Sequence, residues 1–201
     1  MEKNVSNTTG VSIGAYIWTV TASHTIAYFI AGIFAVLFMN YRGAYVSEAL
    51  VCFMRPVDSP LVALGPSFQL LRGVLIALIL LPFRKNLFEE KGGWLKLALL
   101  MGGLSFLTTL GPAPGSFEGF IYTKLSVSYQ LLGYPEALIY IFLFSFFSAA
   151  WYKKPGKVFT VISIVLVLLI ALMSFMGYLQ ATGVLKVPVS TEKVVVPDSV
   201  N

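Results

Sequence analysis

Charge is scarce in this chain. Asp, Glu, Lys and Arg supply 11% of its 201 residues, whereas a soluble domain carries about 25%, so an ordinary soluble globular protein is excluded. Disorder is excluded too, because disordered segments are rich in charge and poor in aromatic residues, and 14% of this chain is aromatic. One cysteine and one histidine build neither an internal disulfide nor a multi-histidine zinc or haem site, so no metal and no cofactor are expected. The sequence also lacks a Gly-rich phosphate loop ending in Lys-Ser or Lys-Thr, and it lacks GxGxxG, HExxH and GxSxG.

Apolar residues are what is present, at 57% of the chain with a mean hydropathy of +0.82. A spanning helix needs about 20 mostly apolar residues, and long gaps between charges define five candidates. They cover residues 17–39, 61–83, 94–110, 137–152 and 158–180. The expected fold is therefore an all-α, polytopic membrane bundle, with residues 1–183 as one domain and 184–201 as a flexible tail. The fourth span is short and follows Pro135 and Glu136 directly. The net charge of +5 points to anionic lipid head groups and not to nucleic acid, because the basic residues flank the apolar runs.

Orientation follows from those flanks. Lys3, Arg84, Lys85, Lys91, Lys96, Lys153, Lys154 and Lys157 fall on one side of the five spans, and Arg42, Arg55, Lys124, Lys186 and Lys193 on the other. Basic residues favour the cytoplasm, so the N-terminus is expected inside and the C-terminus outside, in a bacterial cytoplasmic membrane. Two adjacent sequons, Asn4-Val5-Ser6 and Asn7-Thr8-Thr9, argue the other way in a eukaryotic secretory setting.

Small residues mark close helix approach in lipid. Ala27, Ala31 and Ala35 recur every four residues in the first span, the second span holds Gly73 and Ala77, and the third holds Ala98, Gly102 and Gly103. These three spans are expected to form the bundle core, with the Val-, Ile- and Leu-rich fifth span facing lipid.

Arg72 is the sharpest chemical signal, since a charge near a helix centre costs about 2.5–3.5 kcal/mol on insertion scales and usually finds a partner. Gln69 shares its helix face. Arg72 either turns inward to a partner or snorkels to the interface. The run GPAPGSFEGFIYTK, residues 111–124, forbids a continuous helix and predicts a rigid, re-entrant or surface-hugging loop, with Ser116 capping a short turn that places Glu118 and Tyr122 on one face. Alternatively it is a tight connection. Residues 44–55 read as an interfacial helix with Glu48 and Arg55 on one face. On this topology Glu48, Arg55, Asp58, Gln69, Arg72, Glu118, Tyr122 and Glu136 all belong to the outer half, and Arg72 is expected to pair with Glu118. His24 is expected as a hydrogen-bonded core residue toward the cytoplasmic end.

Three functions fit. One is binding or moving an anionic or zwitterionic small molecule or lipid head group at the outer polar residues. Another is an accessory or scaffold subunit whose charged loops bind another protein, with the small-residue stripes as its main working surface toward other membrane subunits or a second copy. The third is a membrane-embedded enzyme with Glu118 or Glu136 as base and Arg72 or Arg55 stabilising negative charge. The expected partners are membrane lipids. Topology is the directly testable part: reporter fusions at Glu89, Tyr122 and the C-terminus are expected to read inside, outside and outside, and an inside C-terminus would overturn the five-span count.

Overall fold

The computed structural model describes residues 10–107 and 111–185, and every regular element among them is helical. Ser12 opens α1 (Ile13–Phe38), its extended backbone letting Oγ accept from the Ala15 N–H at 3.2 Å, which satisfies a donor that helix starts leave free. Asn40 adopts a left-handed conformation, φ 46°, and redirects the chain into α2 (Tyr41–Tyr45). Pro60 begins α3 (Pro60–Ala63), and Pro66 lies in the first turn of α4 (Gly65–Leu80), where its missing N–H costs nothing. Pro82 falls in a 3-10 turn over Leu81–Phe83, which leads into a π-helical turn over Lys85–Glu89. Then come α5 (Gly93–Leu107), α6 (Phe117–Tyr122), α7 (Val127–Leu131), α8 (Tyr134–Lys153) and α9 (Lys157–Ala181).

Four stretches are long and apolar enough to cross a membrane: α1, α4 with its following turn, α7 with α8, and α9. The architecture is that of a multi-pass helical membrane protein. The third expected span, 94–110, appears as the 15-residue α5, about 22 Å long against a hydrocarbon core of about 30 Å, and residues 108–110 lie outside the described residues. So do most of the expected tail, 186–201, and the sequons before residue 10.

The helix registers are fixed by pairs of residues. Tyr16 donates to the Ala77 carbonyl, Gly73 abuts Thr21, and His24 meets Gln69, so α4 runs antiparallel to α1. Against α8 the pairs are Tyr16 with Tyr152 and His24 with Phe144, again antiparallel. Gly73 makes the α1–α4 crossing possible, because a Cβ there would lie 2.9 Å from the Thr21 Cα. Seven consecutive residues of α1, Thr19 to Thr25, are buried, which requires protein on every side at that level. Lys153 Nζ donates to the Glu90 carbonyl at 3.0 Å, while the other half of α5 reaches Ile141 through Gly102, so α5 is antiparallel to α8.

Several expectations change here. The third helix of the core is α8, which packs along α1 as α4 does, while α5 packs on α8 and on the π-helical turn; Gly103 is exposed. The fourth span starts at Tyr134 and not at 137, because Pro135 occupies the first turn that tolerates it. Residues 46–54 form successive turns instead of an interfacial helix. There Ser47 Oγ donates to the Ala44 carbonyl at 2.6 Å, the local capture by which serine competes with helix propagation. The alanine stripe is as expected, with Ala27, Ala31 and Ala35 buried. So is the lipid-facing character of α9, whose buried residues are only Ser163, Val167, Ile170 and Ser174.

At the end of the bundle where α1 begins, Arg84 ties three segments together. Its Nε donates to the Tyr152 hydroxyl at 2.5 Å, its Nη2 donates to the Val11 carbonyl at 2.6 Å, and Glu89 lies 3.8 Å away. The guanidinium also sits 5.4 Å and 5.1 Å from the ring centres of Tyr16 and Tyr152, within reach of cation–π attraction.

Because the stripe is buried and α9 is not, Ala31→Leu is expected to destabilise the detergent-solubilised protein by roughly 1 to 3 kcal/mol through overpacking. Gly73→Ala should act in the same direction by forcing α4 off Thr21. Ile164→Ala, on the exposed side of α9, should cost less in the same thermal unfolding assay; equal sensitivity at positions 31 and 164 would remove α1 from the core.

Candidate functional site

The polar residues inside the bundle converge on His24, which is the twelfth of the 26 residues of α1 and fully buried. Its Nε2 is 3.1 Å from Gln69 Oε1, and Gln69 Nε2 donates to the Gly65 carbonyl at 3.2 Å. A carbonyl only accepts, so the Gln69 amide is oriented by Gly65 and its Oε1 must accept from His24. In the neutral ring Nε2 then carries the proton and Nδ1 accepts, which makes the Tyr140 hydroxyl, 2.7 Å from Nδ1, a donor. The result is a hydrogen-bond chain with one direction, Tyr140 to His24 to Gln69 to Gly65, joining α8, α1 and α4.

Aromatic rings enclose this chain. Tyr140 stacks on Phe144 with ring centres 5.7 Å apart, and His24 meets Phe144 and Tyr28 at 5.9 Å and 6.2 Å. Arg72 stands one turn beyond Gln69 on α4, and its charge reaches His24, Tyr28 and Tyr140. The Arg72 side chain is exposed and makes no ion pair or hydrogen bond with the described residues. The expected pairing with Glu118 is therefore not formed. The structure leaves that carboxylate on α6, whose position is dictated by the neighbouring loop.

That loop is as rigid as its composition predicts. Ser116 caps α6 by accepting from the Gly119 N–H at 2.9 Å. The buried Gln130 accepts from the Gly115 N–H at 2.7 Å and donates to the Gly119 carbonyl at 2.8 Å and to Thr123 Oγ1 at 2.6 Å. Gly119 admits no side chain, since a Cβ there would meet the Ala113 carbonyl oxygen at 2.1 Å.

Glu136 instead joins the central group from the start of α8, accepting a hydrogen bond of 2.5 Å from Tyr41, which stacks on Tyr45 with ring centres 5.0 Å apart. The Glu136 charge reaches Tyr28, and so does that of Arg72. Of the expected site residues, Gln69, Arg72 and Glu136 are thus drawn into one region. Glu48, Arg55, Asp58 and Tyr122 stay exposed, and Glu118 is half-buried without an ion pair. The sequence reading missed Tyr28, Tyr41, Tyr45 and Tyr140, whose signal was a set of phenols inside or beside apolar runs. It also placed His24 too close to the start of the first span, because α1 begins at Ile13 and not at 17.

Among the described residues no three His, Cys, Asp or Glu side chains come together as a metal site. What the region offers is the donor face of the Arg72 guanidinium beside a buried imidazole whose two nitrogens are hydrogen-bonded. No family model, curated protein or solved structure matches the chain.

Tyr41 and Tyr45 provide a pH test. Burial, then the contact with Glu136, pushes the Tyr41 hydroxyl well above its ordinary value; burial, followed by the Glu136 charge, pushes Tyr45 from 10.0 to about 12. A raised folded-state value means that the unfolded chain loses its proton first, so this contribution is complete below pH 10 and disappears as pH rises toward 12. The melting temperature is expected to be flat from pH 7 to about 9 and to fall above about 10. Tyr41→Phe with Tyr45→Phe should flatten that alkaline fall; an unchanged slope would show that these phenols do not set it.

Proposed function

We propose that the protein binds an anionic or zwitterionic ligand, a small molecule or a lipid head group, at the Arg72 region of its membrane bundle. One observation carries this reading: Arg72 is a permanent cation eight residues into α4 with no carboxylate on it among the described residues, while its charge reaches His24, Tyr28 and Tyr140. An unpaired arginine at that depth, about 10 Å from the helix start, is expensive in hydrocarbon. A bound anion offsets that cost. On the topology inferred from the basic flanks, the site opens toward the outer leaflet.

The scaffold reading draws less support, because its main surface, the alanine stripe, is buried within the chain. The enzyme reading needs a carboxylate beside Arg72 or Arg55, and Glu136 is engaged by Tyr41.

A charge-assisted hydrogen bond contributes about 1.5–3 kcal/mol, so Arg72→Gln is expected to weaken binding of short-chain phosphatidylglycerol to the purified protein by roughly 10- to 100-fold. Arg72→Lys should retain most of the affinity. Calorimetric titration gives the comparison, and equal affinity for wild type and Arg72→Gln would sink this function.

A further inference from the structure

A lateral groove separates α4 from α5, with a volume of about 690 Å³. Its walls are mostly apolar, with Ile76 and Ile79 from α4, Phe83 from the 3-10 turn after it, and Leu100, Met101 and Leu104 from α5. On a helix, residues 72, 76, 79 and 83 follow one another along a single face. Arg72 therefore stands on the groove face of α4, one turn beyond Ile76 and about 6 Å from it along the axis. Gln69 lies one turn further still, on the same stripe.

The two ends of this stripe differ electrically. At the far end Lys96 borders the groove, but its ammonium is already paired with Glu90. At the near end no carboxylate among the described residues pairs with Arg72. From Arg72 to Phe83 the slot runs eleven residues, about 16 Å of helix, and ends where the span Gly65–Phe83 ends. A long apolar slot headed by a single cation that no described carboxylate pairs matches an anionic head group attached to an acyl chain. A second copy of this chain matches it poorly, because the only carboxylate carried by α1, α4, α5, α8 or α9 is Glu136, which Tyr41 already engages.

We infer that the groove between α4 and α5 holds an acyl chain of an anionic glycerophospholipid whose phosphate is bound by Arg72. This rests on the head-group reading above and adds the identity of the ligand as a lipid taken from the side, through the bilayer, with its chain lying against Ile76, Leu100 and Met101. The Arg72 guanidinium donates to the phosphate, and the apolar walls discriminate against the same head group without a chain.

The full chain, delipidated in detergent, is titrated with dioleoyl phosphatidylglycerol, dioleoyl phosphatidylcholine and free glycerol 3-phosphate, and bound lipid is counted by native mass spectrometry. One phosphatidylglycerol per chain is expected to be retained, with at least tenfold weaker retention of phosphatidylcholine and no binding of glycerol 3-phosphate at the same concentration. Leu104→Trp, at a position 58% exposed, fills the groove from its rim and is expected to cut retention at least tenfold. Leu100→Trp provides the same test from inside the wall should Leu104→Trp not fold, and Ile164→Trp on α9 is the control that should bind as wild type does. Loss with Arg72→Gln but none with either groove variant would overturn the groove and leave the head-group reading standing. Retention by Arg72→Gln equal to wild type would overturn both. Glycerol 3-phosphate binding as tightly as the lipid would overturn the acyl-chain part, and loss with Ile164→Trp would identify the retained lipid as annular.

Discussion

The bundle is organised by the need to keep the polar middle of α1 out of lipid. From Thr19 to Thr25 that helix carries five hydroxyl or imidazole side chains, and all seven residues are buried. Hydrocarbon offers no partner to such groups, and the neighbouring helices give hydrogen bonds to His24, while Thr25 bonds the Thr21 carbonyl within α1 and the buried Thr21 and Ser23 hydroxyls have no partner among the described residues. α4 covers one side through Gly73, α8 covers another through Tyr140 and Phe144, and α9 reaches the remainder by accepting the Trp18 indole N–H on Ser163 at 3.0 Å. The helix nearest the N-terminus is central for this reason, and the most apolar helix, α9, is peripheral. In a soluble protein the order would be reversed.

Two polar centres then stabilise the ends of the enclosed helix differently. Around Arg84 the guanidinium donates to Tyr152 and to the Val11 carbonyl with Glu89 3.8 Å away, and the π-helical turn Lys85–Glu89 delivers Glu89 and Phe88 to that cluster. This end is closed and structural. Around Arg72 the guanidinium is exposed and unpaired while the imidazole beside it is fully hydrogen-bonded. The contrast between a satisfied arginine and an unsatisfied one in the same small bundle separates a site of packing from a candidate site of binding.

Much of the architecture could be read from the residues because the membrane imposes a one-dimensional rule. Charge gaps located α1, α4, α8 and α9, and the four-residue spacing of Ala27, Ala31 and Ala35 identified a buried face. The rule fails where three-dimensional choices enter. Pro135 looked like a boundary, yet it sits in a helical first turn. Residues 44–55 had an amphipathic pattern, but the left-handed Asn40 and the Ser47 side chain favour turns. Glu118 seemed free to fold toward Arg72, whereas Gln130, fifteen residues downstream of Gly115, fixes the whole loop. For the candidate site, the unusual arginine and its neighbour Gln69 stood out by chemistry alone. The tyrosines did not, since a phenol in an apolar run gives no indication of which residue it will meet. The polar run beginning at Thr19 was the overlooked clue to the depth of His24.

The hydrogen-bond chain through His24 has a consequence for biosynthesis. Gln69 lies 45 residues and Tyr140 116 residues further along the chain. At a synthesis rate of about 5–20 residues per second, α1 waits roughly 2–9 s for its first partner and roughly 6–23 s for its second. During that interval its imidazole and hydroxyls have only water, lipid head groups or the translocation machinery to bond with. Nascent α1 is therefore a poor resident of the bilayer until the rest of the protein arrives, and the chain assembles around a helix that depends on companions not yet made.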